Sequence, residues 1–331
     1  MYYQKNPPQA VAGEYASTQL GRDHPADYKP DPGLVDAVNV ALVLNKPLLL
    51  TGDPGTGKTQ LAFSVAWQLA ASGALKVLSP RVERFEAKST SLARDLFYSF
   101  DSLRRFQAAY DHGSSNNFDY ITFNALGNAL INALPDEHLK QVLPTLVRSG
   151  DQRRSVVLID EIDKAPRDFP NDLLNEIDQM FFHIAELENR VIGGTEMLSE
   201  AYRPIVIISS NSEKNLPDPF LRRCIYYHIP FPDQDALHDI LLSRIKNLSR
   251  GPLVDDALKF FYFLRDKNLT RYRISPAELI QWLSFMLSQG AKADRPLKDA
   301  AAAEMGLGAL AKDREDQDRV RKELATFIAG A

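Results

Sequence analysis

A run of eight residues has the types and the spacing of a phosphate-binding loop. The pattern G-x-x-x-x-G-K-[ST] is matched by Gly52-Asp53-Pro54-Gly55-Thr56-Gly57-Lys58-Thr59. The glycines let the backbone wrap so that successive N–H groups face phosphate oxygens, and the positive end of a following helix attracts the same anion. Lys58 is expected to reach the β- and γ-phosphates, and Thr59 to offer its hydroxyl to Mg²⁺. With Gln60, which follows directly, these residues predict a nucleotide-binding site.

Two acidic residues follow an apolar run further along the chain. Val156–Ile159 is short and continuously apolar, which is typical of a buried parallel strand, and Asp160 and Glu161 come directly after it. Ligands bind at the carboxyl ends of the strands in open parallel sheets, so both acids are expected on the phosphate side. Asp160 is suited to holding Mg²⁺ through water, and Glu161 to polarising an attacking water. Asp163 and Asp168 fit better as helix caps.

Two further signals are weaker when taken alone. Asn211 follows the apolar run Ile205–Ile208, and an asparagine at a strand exit usually bonds to its own turn. If that strand lies between the other two, Asn211 instead faces the γ-phosphate and the attacking water. Arg222 and Arg223 close a short helix before the next strand, where surface arginines are usually solvated.

The elements that must position these residues alternate between strands and helices. Strand-like apolar runs occur at Pro47–Leu50, Val156–Ile159, Ile205–Ile208 and Ile225–Ile229. Helical patterns lie around and between them, at Leu34–Asn45, Gln60–Ala71 and Leu92–Ala109. A polar stretch over 111–125 is expected to be an exposed loop. The alternation predicts an α/β fold built on a layered sheet.

Composition along the chain predicts three parts. Residues 1–33 are rich in proline and are expected to form a loose N-terminal arm. Residues 34–232 carry the strand-like runs and form the α/β core. Residues 233–331 lack such runs, and helices are predicted at 233–245, 254–266, 276–289 and 300–328, the last interrupted near Gly306 and Gly308.

Composition also excludes several classes of protein. The chain of 331 residues carries 39 Lys plus Arg against 43 Asp plus Glu, so it lacks the basic excess of a DNA-wrapping protein. No apolar run approaches the roughly 20 residues that span a bilayer, and residues 1–10 do not resemble a signal peptide. The single cysteine, Cys224, excludes an intrachain disulfide framework and favours a reducing cytoplasm. The six histidines show no metal-binding spacing.

In their order along the chain, these motifs resemble those of the AAA+ ATPases, and within them the MoxR-like branch. The resemblance covers roughly residues 34–290 and rests on Gly52–Thr59 as Walker A, Val156–Glu161 as Walker B, Asn211 as sensor 1, and the Leu221–Cys224 arginine box. The runs Leu158–Pro166 and Asp172–Glu176 also look like the MoxR-like branch. The resemblance implies a P-loop core with a five-stranded parallel sheet between helices, then a small helical lid. It also implies a ring, usually hexameric, with ATP bound between subunits.

Further site residues follow only from the resemblance. An arginine of the arginine box reaches the γ-phosphate of the neighbouring subunit in that family, and Arg223 is the better match, with Arg222 as the alternate. Sensor 2, a basic residue that opens a lid helix, is matched by Arg271 or Arg273. A helix-2 insert is expected within Ala87–Asp101. A hairpin with a Gly193-Gly194 turn is expected within Glu186–Tyr202.

The resemblance leads to a main hypothesis with several alternatives. The main hypothesis is an Mg²⁺-dependent ATPase that remodels or activates a partner protein in a chaperone-like way, and that partner could carry a von Willebrand factor A domain. One alternative is an ATP-gated assembly scaffold with slow turnover. The presence of both Asp160 and Glu161 argues against it. Another is a motor subunit of a nucleic-acid-processing complex, which the net charge of −4 disfavours. A P-loop kinase would not explain Asn211, the arginine box and the helical region together.

Overall fold

The computed structural model describes residues 2–5, 24–76, 80–110, 116–211, 215–246 and 248–330. These residues form two compact units. The first consists of the described parts of Met1–Ala26, Pro30–Gly52 and Lys58–Ile229, and the second of Asp27–Lys29, Asp53–Gly57 and the described part of Pro230–Ala331. The second unit therefore includes a short piece of the phosphate-binding loop.

Strands lie in the first unit and helices in both. The strands are β1 (Leu48–Thr51), β2 (Val82–Glu86), β3 (Tyr98–Phe100), β4 (Ile121–Phe123), β5 (Val156–Asp160), β6 (Phe181–Ile184), β7 (Arg190–Gly193), β8 (Ile205–Ser209) and β9 (Ile225–His228). The α-helices are α1 (Pro32–Leu44), α2 (Lys58–Ser72), α3 (Ser102–Tyr110), α4 (Ala125–Ala133), α5 (Asp136–Val142), α6 (Phe169–Asp172), α7 (Leu174–Gln179), α8 (Asp218–Leu221), α9 (Gln234–Arg244), α10 (Pro252–Asp266), α11 (Pro276–Ser288), α12 (Ala302–Met305) and α13 (Arg314–Ala329).

The main sheet has five parallel strands in the order β2-β5-β8-β1-β9. Every residue of β1, β5 and β8 is buried, as expected for parallel strands that are covered on both faces. The register pairs Ile159 with Ile208 and Leu50 with Ser209. The α/β fold with a five-stranded parallel sheet is confirmed, and the four strands predicted from apolar runs are present.

The fifth strand, β2, does not follow an apolar run. Its five residues include Glu83, Arg84 and Glu86, and their burial alternates along the strand. As the strand at one edge of the sheet, β2 pairs only with β5, and edge strands commonly carry charged side chains. This position explains why a search for continuous apolar runs misses it.

The prediction of one long helix over Leu92–Ala109 is wrong. The segment contains a 3₁₀ turn at Ala93–Leu96, the strand β3 and only then α3. The strand β3 pairs with β4 in an antiparallel two-stranded sheet, and the ring of Tyr98 packs near that of Phe182. Tertiary packing therefore overrides a helical spacing of apolar residues. Of the predicted loop over 111–125, residues 111–115 lie outside the described part, and the rest includes β4.

A hairpin is present, but it begins at Phe181, before the expected segment Glu186–Tyr202, and its turn is not at Gly193-Gly194. Strands β6 and β7 pair in an antiparallel manner, and residues 185–189 connect them. Glu188 and Asn189 take left-handed backbone conformations in this turn. Gly193 instead closes the second strand, where a Cβ would lie 2.3 Å from the carbonyl oxygen of Met180. Gly193 is therefore needed for the close approach of two backbones and not for the turn.

Part of the expected N-terminal arm packs on the first unit. Tyr3 is fully buried, and its hydroxyl lies 3.0 Å from Ser64 Oγ on α2. The side-chain amide of Asn39 on α1 donates to the carbonyl of Tyr3. Burial raises the pKa of the Tyr3 hydroxyl above its usual range. Residues 6–23 of the arm lie outside the described part of the chain.

The second unit is helical from α9 to α13. Its core holds large apolar side chains of α10 and α11, and Trp282 donates its indole N–H to the carbonyl of Ala303 at 2.9 Å. Ser275 and Glu278 form a capping box at the start of α11. The four predicted helical segments are present, and the last is interrupted by a 3₁₀ turn at Gly306–Ala309.

Within the described residues, no helix combines the length and the apolar character needed to cross a membrane.

A glycine in α4 tests the packing of this helix against the segment before β3. A Cβ on Gly127 would lie 1.9 Å from the carbonyl oxygen of Phe97. Gly127→Ala is expected to lower the free energy of unfolding by about 3 kcal/mol, because neither backbone can move aside. Gly308→Ala is the control, since the nearest atom to its Cβ would be a side-chain nitrogen at 3.8 Å. Urea denaturation followed by circular dichroism measures both, and equal midpoints would contradict the close approach.

Candidate functional site

The predicted site residues gather at the carboxyl ends of the central strands. Strand β8 lies between β5 and β1, which is the condition under which Asn211 was expected to face the phosphates. Asp160 ends β5 and Ser209 ends β8, and Gly52 follows β1. Because parallel strands end at one edge of the sheet, three segments that are distant in sequence meet there.

The phosphate-binding loop connects β1 to α2, as its pattern predicts. Lys58 is the first residue of α2 and is buried, and its ammonium group donates to the carbonyl of Gly52 at 2.8 Å. Thr56 Oγ1 donates to the carbonyl of Asp53 at 2.9 Å. The loop thus closes on itself, and its middle residue Pro54 is exposed. Gln60 is half-buried in the first turn of α2.

Two glycines of the loop cannot be replaced without strain. Gly55 has φ +76° and Gly57 has φ +88°, in the left-handed region that disfavours other residues. Both are also crowded by other residues of the second unit. A Cβ would lie 2.8 Å from Ser275 Oγ at Gly55 and 2.9 Å from the Tyr28 ring at Gly57. Backbone angle and neighbouring atoms therefore require glycine at both positions.

The carboxylate of Asp160 is buried and accepts three hydrogen bonds from side chains. Thr59 Oγ1 lies 3.1 and 3.2 Å from its two oxygens, and Ser209 Oγ donates to Oδ1 at 2.5 Å. Arg84 Nη2 donates to Oδ2 at 2.8 Å. The pairing between a buried carboxylate and a guanidinium offsets the cost of burying the charge. Neither Arg84 nor Ser209 was assigned a role from the sequence.

Thr59 and Asp160 suit a magnesium ion that is also held by phosphates. Both offer oxygen atoms, which Mg²⁺ prefers, and the two residues are in direct contact. Mg²⁺ at a phosphate site commonly uses one or two protein ligands and completes its shell with water and phosphate oxygens. In the part of the chain that the structure describes, no group of three or more His, Cys, Asp or Glu residues could hold a metal without such help.

Glu161 has an unusual backbone conformation that the site holds in place. Its φ of 56° and ψ of 49° are left-handed, which costs on the order of 1 kcal/mol for a residue other than glycine. Its N–H donates to Ser209 Oγ at 2.8 Å. Its carboxylate accepts hydrogen bonds from Asn211 Nδ2 at 3.2 Å and Lys164 Nζ at 2.6 Å. The structure therefore brings Glu161 and Asn211 together.

The backbone of Asn211 is held by an acid that was expected to cap a helix. The N–H of Asn211 donates to the Asp163 carboxylate at 3.2 and 3.3 Å, and Asp163 is buried. The interpretation of Asp163 as a helix cap is therefore replaced by a role in holding the end of β8. Asp168 does occupy the N-cap position of α6, but its side chain makes no capping bond there.

The two arginines of the arginine box differ in their surroundings. Arg223 forms an ion pair with Asp178 through Nε and donates to the carbonyl of Pro219 at 3.1 Å. Arg222 ends the short helix α8 and is exposed, and its side chain has no hydrogen-bond partner among the described residues. Burial raises the pKa of the neighbouring Cys224 thiol to about 12. Arg223 is thus held by contacts within this chain, whereas the Arg222 side chain is exposed.

The expected sensor 2 arginines are both exposed. Arg273 makes no side-chain hydrogen bond or ion pair within the described residues. The guanidinium of Arg271 lies over the ring of Tyr272 at 5.5 Å. A third arginine of the same unit, Arg265 on α10, donates to Asp53 Oδ2 at 3.0 Å and stacks on the Phe231 ring at 3.5 Å. Sequence reasoning missed Arg265, because nothing in its local pattern marks a contact with a residue so far away in the chain.

Comparisons with known proteins match more than half of the chain to one family. A family model described as "ATPase family associated with various cellular activities (AAA)" matches residues 48–232. "Proteasome-activating nucleotidase 1" from Halobacterium salinarum is 40% identical over 84 residues, which are 25% of this chain and 18% of the relative. The chain therefore matches less than a fifth of the length of that curated relative.

Two solved structures are also similar, at low sequence identity. The structure of PCH-2 from C. elegans has a TM-score of 0.43 at 16% identity, covering 90% of this chain and 70% of the other. The RuvB Holliday junction branch migration motor of Thermotoga maritima has a TM-score of 0.41 at 13% identity, covering 82% of this chain and 66% of the other.

Ser209 provides a test of how the site is held together. Its hydroxyl accepts from Glu161 N–H and donates to Asp160, so Ser209→Ala leaves the Glu161 N–H without its acceptor and removes one of the three side-chain donors to Asp160. We expect the free energy of unfolding to fall by about 2 kcal/mol, as for a buried donor that loses its acceptor. Ser99→Ala is the control, since Ser99 is exposed on β3. Urea denaturation compares the two variants, and equal stabilities would contradict the bridging role.

Proposed function

The chain belongs to the ATPase family associated with various cellular activities, and from this premise we propose that it is a MoxR-like ring ATPase. In this proposal the protein hydrolyses Mg²⁺-ATP at subunit interfaces and uses the cycle to remodel or activate a partner protein. The observation that carries it is the convergence of Thr59, Asp160, Glu161 and Asn211 at one edge of the sheet. These residues come from three separate segments, and together they supply a metal site, a base and an orienting amide.

The phosphate-binding loop would hold the triphosphate. The backbone N–H groups of the loop and the start of α2 favour the phosphates, and Lys58 exchanges its bond to the Gly52 carbonyl for phosphate oxygens. Thr59 and Asp160 would hold Mg²⁺, whose positive charge would offset the negative charge of the phosphates. Gln60, in the same helical turn, lies close enough in sequence to contribute to the nucleotide site.

Glu161 would act as the general base for the attacking water. Its carboxylate accepts a proton as the water oxygen bonds to the γ-phosphorus, and the bond from that phosphorus to the β–γ bridging oxygen breaks. The products are ADP and inorganic phosphate. Asn211 Nδ2 already contacts this carboxylate and would orient the base and the water. The Ser209 bond to the Glu161 amide keeps the side chain pointed at the same place in each turnover.

An arginine from the neighbouring subunit would complete each site. The exposed position of Arg222 supports it as the arginine that reaches across, although Arg223 is the better match by position in the motif. The ion pair with Asp178 supports a role for Arg223 in positioning α8 and the residue before it. Activity would then depend on assembly, for which we propose a hexameric ring.

The remaining parts of the proposal come from the MoxR-like resemblance. Residues 34–232 would form the ATPase core and residues 233–331 the lid and its tail, with Arg273 as sensor 2 and residues 1–33 as an arm. A protein with a von Willebrand factor A domain is the proposed partner. The single cysteine supports a reducing compartment such as the cytoplasm.

Replacement of the base tests the assignment of the chemistry. Glu161→Gln is expected to lower kcat at least about 100-fold while nucleotide binding persists, because only the proton acceptor is lost. Lys58→Ala is expected to weaken binding itself. Glu188→Gln is a matched control, since Glu188 has the same left-handed φ, near 57°, in the exposed turn between β6 and β7. Steady-state phosphate release and nucleotide titration separate these effects, and full activity in Glu161→Gln would refute the mechanism.

Separate replacement of the two arginines tests the composite site. We expect Arg222→Ala to lower the ATPase rate by about 10³-fold while the mass of the assembly is unchanged, and Arg223→Ala to have a smaller effect. In wild type, the specific activity should rise with protein concentration together with the mass measured by light scattering. Mixing Arg222→Ala with Glu161→Gln should restore activity, because a Glu161→Gln subunit still donates its arginine to an intact neighbouring site.

Other results would support a different catalytic arginine or a different function. If only Arg223→Ala loses activity, Arg223 is the residue that acts in trans. An activity that is independent of concentration and of both arginines would indicate a self-contained enzyme, and turnover too slow to measure would indicate a nucleotide-gated scaffold. Stimulation of turnover by nucleic acid would favour a motor for a nucleic-acid complex.

A further inference from the structure

Arg84 is the one charged side chain of strand β2 that reaches the site. The register pairs Arg84 with Leu158 and Glu86 with Asp160, so Arg84 starts two residues before the end of β5. Side chains two residues apart share a face of the sheet, and the long side chain of Arg84 extends along that face to Asp160. Its Nη2 atom lies 2.8 Å from Asp160 Oδ2.

This contact uses the carboxylate that the proposed metal needs. Asp160 Oδ1 is engaged by the short bond from Ser209, and both oxygens lie near Thr59 Oγ1. Oδ2 accepts from Arg84 Nη2 at 2.8 Å and lies 3.2 Å from Thr59 Oγ1, so both oxygens of the carboxylate already have two neighbouring donors. A metal held by Thr59 and Asp160 would need one of these donors, such as the Arg84 guanidinium, to give up its place on the carboxylate.

Electrostatic repulsion also favours competition between Arg84 and a metal ion. The side chain of Asp160 is only 4% exposed, so the guanidinium supplies a cation to a buried carboxylate. A divalent cation held by Thr59 and Asp160 would share the Asp160 carboxylate with this guanidinium, and two positive charges on one carboxylate repel each other. Because the Arg84 side chain is 38% exposed and comes from an edge strand, it can withdraw to solvent without disturbing the core.

We propose that Arg84 competes with Mg²⁺ for Asp160 and so sets the magnesium concentration at which the site binds nucleotide tightly. Arg84 is in this sense a positioning residue that acts through Asp160. The Arg84 guanidinium holds the Asp160 carboxylate in place when the metal is absent and releases it when Mg²⁺ binds with the nucleotide. The inference rests on the proposed ATPase function, since it concerns the same metal site.

The test measures metal dependence in binding, without turnover. A ribose-labelled fluorescent ADP is titrated into the full chain at fixed Mg²⁺ concentrations after treatment with EDTA, and Mn²⁺ bound in place of Mg²⁺ is counted by electron paramagnetic resonance. Arg84→Gln is expected to lower the half-saturating metal concentration on the order of ten-fold, because the competing cation is gone. Arg84→Lys keeps the charge and should stay close to wild type. Arg94→Gln is the control, since Arg94 is also an exposed arginine and its carboxylate contacts are at 3.9 Å.

A second readout follows the structural side of the contact. In EDTA, the melting temperature of Arg84→Gln should lie below that of wild type, because Asp160 has lost its cation. Saturating Mg²⁺ and ADP should close this gap. A purely structural role for Arg84 would leave the gap open and the metal titration unchanged.

Each outcome decides for or against the proposal. An unchanged or higher metal requirement in Arg84→Gln overturns it, and so does a loss of ADP affinity in EDTA alone, which would make Arg84 a phosphate ligand. If Arg84→Gln does not fold, Arg84→Met keeps the apolar stem without the charge and the same titration decides. Failure of wild type to bind ADP at any Mg²⁺ concentration would instead refute the proposed function, and the Mn²⁺ count would still report on Arg84.

Discussion

The hydroxyl of Ser209 is the link on which the arrangement of the site depends. It donates to the Asp160 carboxylate and accepts the N–H of Glu161, so one side chain at the end of β8 holds two consecutive acids at the end of β5. The register of the sheet makes this possible, because Ile159 pairs with Ile208 and the next residue of each strand lies alongside. The left-handed conformation of Glu161 then directs its carboxylate to Asn211.

Both acids held by this link are paired with a cation, and so is Asp178 near the arginine box. Glu161 pairs with Lys164, Asp160 with Arg84, and Asp178 with Arg223. Of these carboxylates only Asp160 is buried, at 4% exposure, so its pair with Arg84 is the one whose loss of a partner would be costly, whereas the more exposed pairs contribute little. Under the proposed function, phosphates and a metal ion would have to exchange partners with such pairs. Ligand binding in this proposal would therefore rearrange ion pairs whose charges already neutralise one another.

The parts of the molecule that could be predicted from sequence are those governed by local pattern. The phosphate-binding loop, the buried strands β1, β5 and β8 and the edge strand β9 follow from residue types at short spacing, and the acids at the end of β5 follow from the rule on strand ends. The strand β2 could not be predicted in this way, because charged residues interrupt its sequence and leave no continuous apolar run. The contact between Arg265 and Asp53, and the choice between Arg222 and Arg223, depend on neighbours that are distant in the chain. Local periodicity failed over Leu92–Ala109 for the same reason, since β3 exists only through its pairing with β4.

The order of the strands has a consequence for how the protein is made. Strand β1 carries the phosphate-binding loop, yet its partners are β8 and β9, which are synthesised much later. A nascent chain that has emerged from the ribosome as far as β5 therefore exposes the apolar residues Leu48–Leu50 with neither edge of β1 paired. Apolar segments and unpaired strand edges of this kind favour aggregation until their partners are made. A fragment that stops before β8 would keep the nucleotide-binding motif in its sequence and lack the strand order that turns it into a site.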